Sequence, residues 1–203
     1  MAKINCFIPF VSKRQAENTL KSLQESSLVN KVIALDAAKD PMAKTTTLRK
    51  IASKSDSTYT LIYTKQTTLN MGYMALERMV EVAESTGALM VYADHYSFMG
   101  GERKNHPVID YQRGSLRNDF YFGSVLLYKT SALKAAVKRM KVNYKYAALY
   151  DLRLKVSQKG NLIHINEYLY SEIEEDTRKT GEKLFDYVDP RNREVQIEME
   201  KAC

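Results

Sequence analysis

The stretch Met90–Tyr96, MVYADHY, sets an acid, Asp94, beside an imidazole, His95, at the end of an apolar run. Two such groups can ligate a metal or exchange a proton, provided they converge on one point. In an extended strand, however, neighbouring side chains leave on opposite faces, so Asp94 and His95 diverge. His106 and His164 stand far off in sequence, with no ligand spacing around them. No metal-ligating set is assigned. G-x-G-x-x-G, P-loop, G-x-S-x-G and C-x-x-C motifs are absent as well.

Ligands of open α/β sheets bind beyond the carboxyl ends of the strands, so strand ends hold the remaining candidates. They are Pro9 and Phe10, then Asp36, then Thr64, Lys65 and Gln66, joined by Asp151 from a later helix. Asp36 can meet a nucleotide base or cap its own loop. Lys65 can bring a positive charge to a phosphate or lie in solvent. Asp151 can act as a general base, or face solvent on a helix whose apolar residues are Leu149, Leu152 and Val156. Arg153 reads as a surface ion-pair partner. The polar run RGSLRNDF, from Arg113 to Phe120, reads as a loop able to take phosphate or an acceptor sugar.

Apolar runs of strand length alternate with helix-period stretches, which predicts an α/β sandwich with a largely parallel sheet. INCFIPF is the first strand, and Ser12 caps a helix carrying Ala16, Leu20 and Leu23 on one face. KVIALD and STYTLIYT are the next strands, ending at Asp36 and near Thr64. Asn70 opens a helix through MGYMALERMVEVAES, with Met71, Met74, Ala75, Met79, Val82 and Ala83 read as core, and Gly87 closes it. ALMVYADHYSFM and ERKNHPVIDY form a hairpin about Gly100–Gly101. FYFGSVLLYK is a strand, SALKAAVKRM and ALYDLRLKVSQKG are helices, and NLIHINEYLY is extended. Asp189–Pro190 opens a last helix to Cys203 that lacks a stop signal, so a longer chain is expected. Its Val195, Ile197 and Met199 are expected to dock on the domain or on a second copy.

The chain has 203 residues, 44% hydrophobic and 27% charged, which suits one soluble domain. A net charge of +7 favours an anionic partner, yet the basic residues are scattered and lack the aromatic interleaving of a nucleic-acid binder. No run approaches the ~18 apolar residues of a membrane span. Two cysteines, Cys6 and Cys203, exclude a disulfide framework or a zinc site and fit the cytoplasm.

From about residue 3 to 175 the order of elements resembles a family 2 glycosyltransferase with the GT-A nucleotide-sugar fold. CFIPF is similar to the opening I-I-P-x-Y-N strand. KVIALDAAKD is similar to the V-V-D-D-G-S segment, with Asp36 at the first acid. TLIYTKQTTLNMGYMALERMV resembles the stretch in which a strand ends in D-x-D-D, and ALYDLRLKVSQKG resembles the E-D-x-x-L helix of the acceptor side. This chain departs at three places: Thr64–Lys65–Gln66 replaces D-x-D, Ala37 the second acid of D-D-G-S, and Tyr150 the glutamate before Asp151.

The resemblance implies a mixed, mostly parallel GT-A-like sheet flanked by helices over residues 1–176, with 177–203 a helical appendage leading into a further domain. It implies transfer of a sugar, with inversion, from a nucleoside-diphosphate sugar to a saccharide or lipid-linked acceptor. Pro9, Phe10, Asp36 and Lys65 would bind the nucleotide and Asp151 would be the catalytic base. The divalent cation typical of the family loses its carboxylate ligands here, so no cofactor is expected. A polysaccharide-building role, a place in the cytoplasm or at the inner face of the membrane, and a homodimer all accord with it. The alternative is a catalytically inactive accessory or binding domain of a larger glycosyltransferase.

Overall fold

Ile4–Phe10 is apolar at nearly every position and buried as far as Pro9, the pattern of a strand covered on both faces. It forms β1 of a computed structural model that describes residues 2–112, 114, 120–174 and 192–203, with backbone alone for Met99, Glu174 and Asn192. Parallel to β1 lie β2 (Val29–Asp36) and β3 (Tyr59–Tyr63), one on each side. Phe10 stands beside Asp36 and Phe7 beside Ile62, so Pro9, Asp36 and Thr64 reach the same edge of the sheet.

Beyond β3 the sheet continues with antiparallel β7 (Val125–Lys129), then β5 (Met90–Met99), β8 (Leu162–Glu174) and β4 (Thr68–Met71). A sixth strand in sequence, β6 (Glu102–His106), pairs with the outer half of β5 as the expected hairpin about Gly100–Gly101. Strands β1, β2, β3, β5 and β8 run one way, and β4, β6 and β7 the other. The sheet is therefore mixed and mostly parallel, as the alternation of elements predicts.

Alternation along β1 divides the core. Cys6 and Ile8 pack with α1 (Lys13–Gln24) and α3 (Ala75–Thr86), through Leu23, Leu76 and Met79. Phe7 packs on the other face with α2 (Thr45–Lys54), α4 (Thr130–Lys138) and α5 (Ala148–Ser157), through Leu48, Leu133 and Leu152. Burial pushes the Cys6 thiol up to about 12, which keeps it unreactive. Ser12 caps α1 by accepting the Gln15 N–H at 3.2 Å, and Gly87 ends α3 at φ +66°.

The helix expected from Asn70 begins only at Ala75. Thr68–Met71 pairs with β8 instead, and Gly72 donates its N–H to the Leu169 carbonyl at 2.8 Å. A Cβ at Gly72 would lie 2.9 Å from that oxygen, so the chain needs glycine to hug β8. Met74, at φ +52°, then turns into α3. Met71 and Met79 are core, but Met74 is exposed.

The last element, α6 (Asn192–Ala202), docks at the amino end of α5. Glu198 accepts the backbone N–H groups of Lys145, Tyr146 and Ala147, at 2.9, 2.7 and 3.2 Å. Burial alone would raise its pKa, but those three donors together hold it below the usual value. Tyr144 donates its hydroxyl to the Lys201 carbonyl at 3.1 Å. Met199 and Ala202 pack against the core on this side, whereas Ile197 is exposed. The expected docking thus uses a helical spacing rather than the alternating Val195, Ile197 and Met199. Asp189–Pro190 and the expected boundary at 176–177 lie outside the described residues.

Hydrogen exchange in a monomeric sample should find the α6 amides protected. Glu198→Ala should cost about 1.5–3 kcal/mol, the range for a charged hydrogen bond. It should speed exchange in α6 while leaving β1 and β3 slow. Fast exchange of α6 in the unmutated chain would contradict this docking.

Candidate functional site

At the shared edge, β1 delivers Pro9, buried, and Phe10, 41% exposed, directly beside Asp36. Asp36 folds its own loop: Oδ1 accepts the N–H groups of Ala38 at 3.0 Å and Lys39 at 3.3 Å. The Lys39 and Ala38 donors hold its carboxyl below the usual carboxylate range. Oδ2 pairs with the Lys39 ammonium at 3.6 Å, in a side chain that is 44% exposed. The loop cap and an exposed, ion-paired carboxylate oxygen therefore coexist in one residue.

Thr64 continues β3 past Tyr63 and is tied to the start of β7, donating its N–H to the Ser124 carbonyl at 2.9 Å. Lys65 turns back under this edge and pairs with Glu172 of β8. The Glu172 side chain is wholly buried, while that of Lys65 keeps 37% of its surface exposed. The other Glu172 oxygen accepts the Ser124 hydroxyl and lies 3.4 Å from His95 Nε2. Tyr121 places its hydroxyl 3.3 Å from the same nitrogen. Tyr170, two residues before Glu172, accepts the Ser124 N–H at 2.8 Å. Gly123, at φ +75°, leaves room for this group, since a Cβ there would come within 2.5 Å of the Tyr170 hydroxyl.

His95 is sandwiched between the rings of Tyr170 and His106, at 5.0 and 5.2 Å between centroids. Burial lowers its pKa against the opposing pull of Glu172, which disfavours the charged ring, and Nδ1 is buried without a hydrogen-bond partner among the described residues. Asp94 leaves on the other face, as alternation requires. It accepts the Val108 N–H at 2.7 Å and lies 2.9 Å from His164 Nε2, whose Nδ1 meets Asp110 at 2.7 Å. The register between β5 and β8 shifts on both sides of Asp94, a bulge that aims these two residues apart.

Asp151 lies in the first turn of α5, whose amino end is fixed to the loop after β2 by the Ala148 N–H on the Ala43 carbonyl, at 3.1 Å. Its carboxylate is buried and paired with Lys155 one turn on. Arg153 is half-buried rather than a surface ion-pair partner: it donates to the Phe120 carbonyl at 3.2 Å and lies over the Phe122 ring. Most of the polar run 113–120 lies outside the described residues.

Sequence spacing thus leads to the edge bearing Phe10, Asp36 and Thr64, but misses Glu172, Ser124 and Tyr121, and sets His95 aside with Asp94. One signal was available. In IHINEYLYSEIE, Glu172 shares strand parity with Tyr170, while the apolar Ile173 faces out. A charge on the inward face of a strand marks a buried polar site.

The residues at the end of β3 do not fit a divalent cation. A hydroxyl, an ammonium and an amide cannot replace the carboxylate oxygens that magnesium or manganese prefers, and the ammonium is itself paired with the nearby carboxylate. Among the described residues, no three His, Cys, Asp or Glu side chains are grouped to hold a metal. No helix among them is long and apolar enough to cross a membrane.

No family model matches the chain, and no curated protein sequence does. Among solved structures it is similar to the crystal structure of TarS 1–349 from S. aureus, a glycosyltransferase. The TM-score is 0.57 at 12% identity, over 83% of this chain and 60% of that one. It is also similar to the same protein in complex with UDP-GlcNAc, with a TM-score of 0.59 at 10% identity, over 87% of this chain and 60% of that one. The chain therefore spans about three-fifths of the structures it resembles. The fold is that of a GT-A-like glycosyltransferase.

The neutral His95 makes stability depend on pH. In the unfolded chain an imidazole titrates near about 6.5. As pH falls below that value the unfolded state gains a proton that the folded ring resists, so this contribution is lost. His95→Phe keeps a ring in the sandwich and removes the titration. Urea unfolding at pH 7.5 and 5.5 should show a smaller acid loss in that variant than in the parent chain.

Proposed function

We propose that the chain binds a nucleoside-diphosphate sugar at the edge formed by β1, β2 and β3 and transfers the sugar, with inversion, to a saccharide or lipid-linked acceptor. The observation that supports it most is the alignment of Phe10, Asp36 and the β3 end on one edge of a GT-A-like sheet, a fold that in TarS has been seen with UDP-GlcNAc. Phe10 offers an exposed ring to a base, and Asp36 the carboxylate oxygen it shares with exposed Lys39 to its N–H groups. Pro9 shapes the backbone between them, and Lys65 faces the diphosphate. Asp151 is the base that takes the acceptor's proton, once an acceptor displaces Lys155 from one of its oxygens.

A second reading has its own support. Asp151 is buried against Lys155, and Lys65 is already paired, so both charged groups are engaged before any ligand arrives. A domain that binds nucleotide sugar without transferring it, as part of a larger glycosyltransferase, would have the same geometry.

Calorimetry with a panel of nucleoside diphosphates should find one that binds, and Asp36→Asn should weaken it about tenfold, equivalent to ~1.4 kcal/mol. Asp151→Asn should leave that binding unchanged and reduce sugar transfer by roughly 10²–10⁴, the contribution of a general base. Binding without transfer in the parent chain selects the second reading. Absence of binding across the panel would overturn both.

A further inference from the structure

The mismatch between the end of β3 and a divalent cation has a chemical resolution in the same place. We infer that Lys65 Nζ is a built-in cation for the diphosphate, with Glu172 as the positioning residue that holds it. This deepens the proposed function and rests on it.

A divalent ion held by two carboxylates leaves a site of zero net charge that still attracts phosphate through open coordination positions. Lys65 with Glu172 has the same sum. An ammonium carries three donors, and the described residues take one, at Glu172. The Lys65 side chain keeps 37% of its surface exposed just past the end of β3, the strand beside β1. On this inference the two remaining donors meet the diphosphate of a sugar nucleotide at that edge.

Glu172 is suited to fix that ammonium, because it cannot swing. Its side chain is wholly buried, and its second oxygen is occupied by the Ser124 hydroxyl with His95 Nε2 3.4 Å away. Ser124 is anchored in turn by its N–H on the Tyr170 hydroxyl and its carbonyl on Thr64. The pair also explains why the carboxylate stays buried: Lys65 is its counter-ion in the folded chain, and a phosphate can join without breaking that pair. Preorganised donors of this kind act without reorganisation when the leaving group develops charge.

The test uses pyrophosphate together with uridine, UMP and UDP, and the guanosine and thymidine series beside them. Each is titrated calorimetrically into the parent chain, Lys65→Met, Glu172→Gln and Lys65→Asp, in EDTA or in manganese. Thermal unfolding of all four proteins is recorded in both conditions. In the parent chain a diphosphate should bind at least tenfold tighter than its nucleoside in EDTA, with no gain from manganese. Lys65→Met should lose that increment and bind the nucleoside as before. Glu172→Gln should shrink the increment while still folding.

Lys65→Asp places a second carboxylate facing Glu172. It should melt at a higher temperature with manganese than without, and regain the diphosphate preference only with manganese. A parent-chain increment that needs manganese would overturn the inference. So would an increment that survives Lys65→Met, or a Lys65→Asp variant indifferent to manganese. Pyrophosphate binding lost in Lys65→Met, with no nucleoside bound by any protein, would support the cation and bring down the nucleotide reading alone.

Discussion

The buried carboxylate of Glu172 is the constraint around which this end of the sheet is organised. An unpaired carboxylate in a dry interior costs several kcal/mol, so the fold must surround it with donors or fail there. Three segments surround it: Lys65 after β3 and Ser124 before β7 donate to it, and His95 on β5 lies against it, while the Tyr170 hydroxyl holds Ser124 by its N–H. These segments are distant in sequence, and the carboxylate fixes their register at the point where the parallel half of the sheet meets β7. A charge with that many ties makes the edge beyond β3 rigid.

Rigidity there has a functional meaning. The edge that carries Phe10 and Asp36 is built from parallel strands and an Asx-type loop, and its one carboxylate oxygen outside the loop cap meets only the exposed Lys39 among the described residues. The edge that carries Lys65 is closed behind by the polar cluster. One side can adapt to a base, and the other holds its charge in place. On the opposite face of β5 the Asp94–His164–Asp110 chain clamps the segment after β6 to the sheet, so the hairpin is secured from both faces.

Much of this was legible in the residues. Apolar runs of strand length gave away β1, β3 and β7 as strands, and Ser12 and Gly87 marked the start of α1 and the end of α3. The strand ends pointed to Pro9, Phe10, Asp36 and Thr64. Two things escaped. The start of α3 was misplaced because Asn70 and Met71 fit a helical stripe locally, and only pairing with β8, which lies some hundred residues on, makes Thr68–Met71 a strand. The Glu172 cluster escaped because its members are linked by tertiary contact: the parity of Glu172 with Tyr170 marks a buried charge but not the Lys65, Ser124 and His95 that meet it. The position of α6 depends on three backbone N–H groups ahead of α5, which composition cannot reveal.

The account stands or falls on where a bound diphosphate lies. The direct measurement is a crystal structure of this chain soaked with the nucleoside diphosphate that binds, in the presence of manganese. The account predicts a phosphate oxygen within hydrogen-bonding distance of Lys65 Nζ, the Lys65–Glu172 pair intact, the base beside Phe10 and Asp36, and no ion between protein and phosphate. A manganese ion bridging the diphosphate to Glu172, with Lys65 turned away, would contradict it.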